Sequence, residues 1–372
     1  MAIKDSNYQM KSLYLKVYVQ TVMDLELFIE MLGIPSTSGE ERRFADFLKE
    51  RLAAPEVIEK EVGDGTLNLL LDWSGTGHPS FVFCTHLDTV PPYIPPFVEL
   101  VKEGDRLPDG AIARTDDTMI KGRGSCDAKG QLFTMYNACL RLQQEGFKDF
   151  GLLLLSGEET GSQGAKAYNR DCPGGDFVLV GEPTDNCLAT AAKGTKSFEV
   201  TITGKACHSG YPENGVSAVE RFVDTMENLR GTRFRKDPIL GPTTWNVGDL
   251  ISGNPQNILS PEVRFRIYFR TTFLTDPSIQ EVLLSACPPG ATVQAFGGDT
   301  PQEYFHDVKG VKSKPVSFGS DAPRLEKFTR KAICGPGSIL TAHTDKEYIL
   351  VSDMKKAVEQ DILIYKTINK IQ

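Results

Sequence analysis

The amino-acid sequence predicts an α/β fold: a layer built on a largely parallel sheet, with a smaller βαββαβ unit inserted into it. Three observations carry this expectation. Short apolar runs alternate with a helix-patterned segment through the first half of the chain, as parallel strands joined by helical crossovers do. After Lys193 the order becomes strand, helix, two strands, helix, strand, the pattern of a ferredoxin-like sandwich. The remaining segment offers another strand and another helix, a return to the first layer. The 372 residues suffice for two domains, divided as residues 1–193, 194–298 and 299–372.

Leu, Val, Met and Phe recur at helical spacing over residues 8–32, which gives the first helix. Ser38 and Glu41 fit a capping box, with Ser38 as N-cap, opening a helix to about residue 52. Strands are expected at 67–73, 80–85, 150–156 and 176–180, with a helix at 129–144 between the second and third. In the inserted unit, residues 196–203, 243–251, 263–271 and 291–296 read as strands, and 216–229 and 278–286 as helices. The last segment carries a strand at 331–334 and a helix at 348–368.

Composition narrows the function classes. The chain is 40% hydrophobic and 24% charged, with a net charge of −8 and a pI near 5.3, so nucleic acid and anionic membranes are not expected partners. No apolar stretch approaches the ~20 residues that span a bilayer. The N-terminus has no continuous apolar core of a signal peptide, which points to a cytoplasmic protein. Eight cysteines without a C-x-x-C pair read as free thiols. The five histidines are few enough that the surroundings of each matter.

The apolar strands end in chemistry. "FVFCTHLD" delivers His86 and Asp88 to one side of a strand end; by themselves they read as a hydrogen-bonded pair. Asp127 lies between the glycine-rich "GRGSCD" and a helix start, where it equally suits an N-cap. "LLLLSGEETGS" runs from hydrocarbon into Glu158 and Glu159, whose side chains diverge if the backbone is extended. Glu182 leaves a third strand, and His343 sits in a loop after "GPG". So much negative charge at one sheet edge needs cations, at the edge where open α/β sheets bind ligands. Two divalent ions match the count, His86, Asp127 and Glu182 holding one and Asp127, Glu159 and His343 the other. Mixed nitrogen and oxygen ligands with an open position suit zinc, with cobalt the alternative. Glu158 is then free to act as general base and acid in metal-assisted hydrolysis.

Together "THLDTVP", "GRGSCDAKG", "SGEETGSQGA", "GEPT" and "GPGSILTAHTDKEYI" resemble, in order and spacing, a di-zinc amidohydrolase and exopeptidase family. That family includes acetylornithine deacetylase, succinyl-diaminopimelate desuccinylase, aminoacylase and carboxypeptidase G. The resemblance runs from about Leu25 to Ile364 and is nearest to the acetylornithine deacetylase branch, which serves arginine biosynthesis. It implies a zinc-exopeptidase-like three-layer catalytic domain and an inserted lid through which subunits dimerise. It implies metal ligands His86, Glu159, Glu182 and His343, a bridging Asp127 followed by a cis peptide, base Glu158, and Asp88 behind His86. "GKACHSGYPENGVSA" resembles the lid motif, making His208 the residue that stabilises the oxyanion in a partner subunit's site. "NPQNILSPEVRFRIYFR" resembles the substrate-binding stretch, with Asn257 and Arg270 toward the substrate carboxylate. "TDKE" departs from the usual Pro-Asp-Glu after His343, which leaves the part of Glu347 open, and the Ser320-Asp321 turn has no assigned role.

The expected reaction is hydrolysis of an N-acyl amino acid to a free amino acid and a small carboxylate. A dipeptidase, carboxypeptidase or desuccinylase on the same machinery is the first alternative. A silent binding protein on this fold and a thiol hydrolase using Cys126, or Cys207 with His208, are the others.

Overall fold

The computed structural model describes residues 23–63 and 65–371, in two compact units. The first contains the described residues up to Ala189, Tyr304–Lys314 and those from Ser320 on; the second contains Thr190–Glu303 and Pro315–Gly319. The crossings thus fall at 189/190 and 303/304, where the sequence suggested 193/194 and 298/299, and a short stretch returns to the second unit.

The first unit is built on a six-stranded sheet of β1 (Glu56–Gly63), β2 (Thr66–Asp72), β3 (Phe81–His86), β6 (Phe150–Leu155), β7 (Gly175–Val180) and β15 (Phe328–Ile333). Their order is β1-β2-β6-β3-β7-β15. Strands β6, β3, β7 and β15 are mutually parallel, while β2 runs against β6 and β1 against β2. A second sheet joins β4 (Phe97–Val101), β5 (Asp117–Lys121) and β16 (Tyr348–Leu350) in antiparallel fashion. The helices are α1 (Leu25–Leu32), α2 (Arg42–Arg51), α3 (Lys129–Gln144) and α4 (Gln163–Asp171), then α5 (Ala218–Gly231) and α6 (Ile279–Ala286) of the second unit, and finally α7 (Val351–Ile368).

Strands β3 and β6 are buried at every residue, which is why they read as unbroken apolar runs. Alternate side chains go to opposite faces. Leu69 and Leu71, Phe81 and Phe83, Leu152 and Leu154, and Phe177 and Leu179 join one core. Against them lie Phe28 and Met31 of α1, Phe44 and Leu48 of α2, Phe133 of α3, and Ile362 and Tyr365 of α7. Each such side chain contributes about 1.5–3 kcal/mol on burial.

The second unit contains β9 (Gly194–Thr203), β10 (Thr244–Ile251), β11 (Glu262–Thr271) and β12 (Thr292–Gly297), paired antiparallel in the order β10-β11-β9-β12. Strand β11 alternates exposed and buried residues. Its Val263, Phe265, Ile267 and Phe269 meet Phe198, Val200 and Ile202 of β9 and Met226, Leu229, Ile279 and Leu283 of the two helices. With α5 and α6 the chain order is βαββαβ, the ferredoxin-like arrangement. Strands β8 (Leu188–Ala192), β13 (Gln302–Glu303) and β14 (Ser313–Val316) form a further small sheet. No helix among the described residues is long and apolar enough to cross a membrane.

Three local expectations change. Within the described residues the first helix starts at Leu25, because the Asp24 carboxylate accepts the Leu27 N–H at 3.2 Å and caps it; residues 8–22 lie outside the described residues. Helix α2 starts at Arg42 with no side-chain cap, since Ser38 and Glu41 turn their side chains elsewhere. The helix expected from residue 348 starts at Val351, because Tyr348, Ile349 and Leu350 pair with Lys121, Ile120 and Met119 instead.

Candidate metal centre

Parallel strands end at a common edge, and each exit here carries a titratable group. His86 is the last residue of β3, Glu158 and Glu159 follow β6, Glu182 follows β7, and the loop after β15 reaches His343. The β6 exit is fixed locally. The Ser156 N–H donates to Asn68 Oδ1 at 3.1 Å and its hydroxyl to the Leu67 carbonyl at 2.7 Å. The Glu158 carbonyl then accepts the N–H groups of Gly161 and Ser162 at 3.0 and 3.1 Å. Glu158 and Glu159 therefore sit in a tight turn, not in the extended backbone assumed from sequence.

Asp88 is completely buried and holds this turn. Its Oδ1 accepts the Glu158 N–H at 3.0 Å; its Oδ2 accepts the Glu159 N–H at 3.1 Å and the Ser38 hydroxyl at 2.7 Å. Oδ1 also lies 3.4 Å from His86 Nδ1, which bonds the Asp88 carbonyl at 2.9 Å. That leaves His86 Nε2 facing Asp127 Oδ1 at 3.1 Å. The other oxygen of Asp127 lies 3.2 Å from His343 Nε2, which is 2.9 Å from Glu159 Oε1.

Asp127 is not a helix cap. Ala128 occupies that position without a side-chain cap bond, and the Asp127–Ala128 peptide is cis. The loop is held by Glu347, whose Oε1 accepts the N–H groups of Cys126 and Asp127 at 3.2 Å each while Oε2 accepts Arg123 Nη1 at 2.6 Å. Glu347 thus orients the Asp127 loop despite the altered "TDKE" context. Gly130 must be glycine-sized, since a Cβ there would overlap the Ser125 carbonyl oxygen.

The electrostatics follow from burial and crowding. Burial and its like-charged neighbours Asp321, Glu159 and Asp127 raise the Glu158 carboxyl well above the carboxylate range. Burial and then Glu158 do the same to Glu182. For Asp127 burial acts upward, but hydrogen bonds from His343 and His86 outweigh it and hold the group low. Hydrogen bonds to Asp127 and Glu159 lift His343 to about 10. Asp321 of the Ser320-Asp321 turn is also buried, which pushes its carboxyl up to about 7.

Three groups of side chains have ligand atoms within 4.8 Å of one another: His86, Asp127 and Glu182; Asp127, Glu159 and His343; and His86, Glu158 and Glu159. The first two contain the same residues as the two groupings read from the sequence, and the third adds Glu158. The donor set fits divalent ions: Glu182 Oε1 is buried without a hydrogen-bond partner, and Asp127 aims one oxygen at each imidazole.

His208, Asn257 and Arg270 lie in the second unit. His208 is exposed, its Nδ1 accepting the Gly210 N–H at 3.1 Å. Asn257 is exposed, and Arg270 is half-buried over the Tyr268 ring at 4.9 Å. The thiol alternative finds little support. Burial, Glu347 and Asp127 push the Cys126 thiol well up, and the single proton of the Cys207 thiol faces the carbonyl oxygens of Tyr211 and His208 at 3.4 and 3.6 Å rather than an imidazole. Residues that sequence reading missed are Asn68, which lies in no motif, Arg123, which sits in "GRGSCDAKG" with nothing local to mark its partner, and Ser38 and Glu41, whose spacing mimics a cap.

In the metal-free protein the His343 imidazolium stabilises the fold fully below its ordinary value of 6.5, and this contribution is lost as pH rises through about 10. A metal ion needs the neutral ring, so binding expels the proton. Apparent Zn²⁺ affinity should rise about tenfold per pH unit for each proton displaced, with proton release at pH 7 measured by calorimetry in buffers of different ionisation enthalpy. Binding without proton release would contradict the engagement of these imidazoles.

The chain is similar to known proteins over most of its length. Residues 190–285 match the peptidase dimerisation domain. A peptidase M20 domain-containing protein of Schizosaccharomyces pombe is 31% identical over 342 residues, covering 89% of this chain and 81% of that protein. A probable carboxypeptidase of Aspergillus oryzae is 30% identical over 366 residues, covering 88% and 86%. A tripeptidase from Staphylococcus aureus shares the fold, with a TM-score of 0.72 at 22% identity over 93% of this chain and 98% of that one. By this relationship the chain belongs to the M20 family of metallopeptidases, hydrolases of amide bonds.

Proposed function

We propose that the protein uses two divalent metal ions to cleave the amide bond that precedes a free C-terminal amino acid, in a short peptide or an N-acyl amino acid. Both the acetylornithine deacetylase-like reaction and a carboxypeptidase reaction are cases of this chemistry, since each releases an amino acid with its carboxylate free. The observation that carries the proposal is Asp127, whose two oxygens face His86 and His343 at 3.1 and 3.2 Å, with Glu182 and Glu159 completing one group each. In this assignment His86, Asp127 and Glu182 hold one ion and Asp127, Glu159 and His343 the other.

Zinc, or cobalt in its place, would supply Lewis-acid activation of water and of the scissile carbonyl. Glu158 takes the proton from the attacking water and passes it to the leaving nitrogen. Asp88 fixes the orientation of His86 and of the turn bearing Glu158. The resemblance in motif supports His208 as an oxyanion donor to a partner subunit and Asn257 and Arg270 as ligands of the substrate carboxylate. Eight free cysteines among the described residues support a reducing, cytoplasmic setting.

A panel of N-acetyl and N-succinyl amino acids and dipeptides, each with a free or amidated C-terminus, tests the substrate class. Hydrolysis should require the free carboxylate; equal turnover of amidated substrates would contradict the proposal. Glu158→Gln should keep the metal content and lose about 10²–10⁴-fold in turnover, and an undiminished rate would remove Glu158 as the base.

The second unit is proposed to pair with a second copy of the chain. Edge strand β10 exposes Leu250 and Ile251, and α5 exposes Val219 and Val223, apolar surface of the kind that marks association, within the dimerisation-domain match. Sedimentation should give the mass of a dimer, and Leu250→Asp should shift it toward monomer. A wild-type monomer at micromolar concentration would refute the pairing.

A further inference from the structure

We propose that residues 36–41 form a positioning strap for the catalytic edge, with Ser38 and Glu41 as its positioning residues. The inference rests on the two-metal assignment above. The strap runs beside the chain that leaves β3. Thr37 and Thr89 form a parallel bridge, the Thr89 N–H donates to the Ser36 carbonyl at 2.9 Å, and the Ser38 N–H to the Thr89 carbonyl at 3.3 Å. From this rail two side chains reach inward. The Ser38 hydroxyl donates to Asp88 Oδ2 at 2.7 Å. Glu41, at 0% exposure, accepts the Gly157 N–H through Oε1 at 3.1 Å.

Three successive N–H groups are thereby fixed by two buried carboxylates: Gly157 by Glu41, Glu158 by Asp88 Oδ1, and Glu159 by Asp88 Oδ2. These amides belong to the turn that carries the proposed base and a proposed metal ligand. One carboxylate is part of the strap and the other is tied to it by Ser38. An ionised carboxylate is costly to bury without partners, and a helix start is served equally well by an exposed glutamate. Helix α2 makes no side-chain cap bond; Ser38 instead donates to Asp88 and Glu41 accepts the Gly157 N–H. The strap therefore sets where Glu158 stands relative to His86, through Asp88 and the turn's backbone amides.

Ser38→Ala, Glu41→Ala and Glu41→Gln separate positioning from simple folding. The glutamine keeps a carbonyl oxygen for the Gly157 N–H. Ser38→Ala and Glu41→Ala should each lower kcat or Zn²⁺ affinity about 10–100-fold, the range found for groups that orient ligands, with KM within about twofold. Glu41→Gln should recover most of the loss. Zn²⁺ affinity by calorimetry needs no substrate: a wild type without amide hydrolysis whose variants bind Zn²⁺ more weakly would end the proposed function and keep the strap. Wild-type kcat and Zn²⁺ affinity in both alanine variants would overturn the strap. So would losses that track a lowered thermal midpoint with Glu41→Gln no better than Glu41→Ala.

Discussion

Like charges brought together at one edge of a sheet are the constraint on which the rest of this protein depends. Asp88, Asp127, Glu182 and Asp321 are buried, and Glu158 and Glu159 are half-buried beside them. Such crowding is tolerable only where opposite charge or hydrogen bonds offset it. Hydrogen bonds to Asp127 and its neighbours raise His86, against burial, and His343, while burial and like-charged neighbours raise the carboxyls of Glu158 and Glu182. The imidazoles and carboxylates that meet one another here are the groups proposed to hold the two ions.

Parallel topology is what makes the crowding possible. Strands β3, β6, β7 and β15 run in one direction, so their exits bring residues more than 250 positions apart in sequence, His86 and His343, to one place. The strands contribute rigidity through their apolar faces, and the exits contribute chemistry. Between the two lies a layer of buried groups that hold backbone in place: Asp88 on the glutamate turn, Glu347 with Arg123 on the Asp127 loop, Asn68 on Ser156. Each meets backbone N–H groups or their neighbours with a buried acceptor, the condition under which polar backbone is tolerated in an interior.

Much of this was legible in the sequence because burial leaves a pattern. Helix α3 matches its expected limits, and β3, β6 and β7 lie within a residue of theirs, since an apolar run bounded by polar turns admits few other readings. Strand β1 was not legible: it sits at the sheet edge with a half-exposed, charge-rich pattern. Helix α4 was missed too, its N-terminal neighbour Ser162 being in the left-handed region with a φ of 60° and offering no side-chain cap. Ser38 and Glu41 show a deeper limit. A serine three residues before a glutamate means the same thing locally whether it caps a helix or ties a strap to Asp88, and only the tertiary contact decides. The pairing of Glu347 with the Asp127 loop, across 220 residues, leaves no local trace at all.

The measurement that bears most directly on the central claim is anomalous diffraction from crystals of the zinc-loaded protein, collected on both sides of the zinc edge. Two peaks should appear per chain, about 3.5–4 Å apart, with an oxygen of Asp127 directed at each. A single peak, or peaks that leave Asp127 without a metal neighbour, would contradict the account.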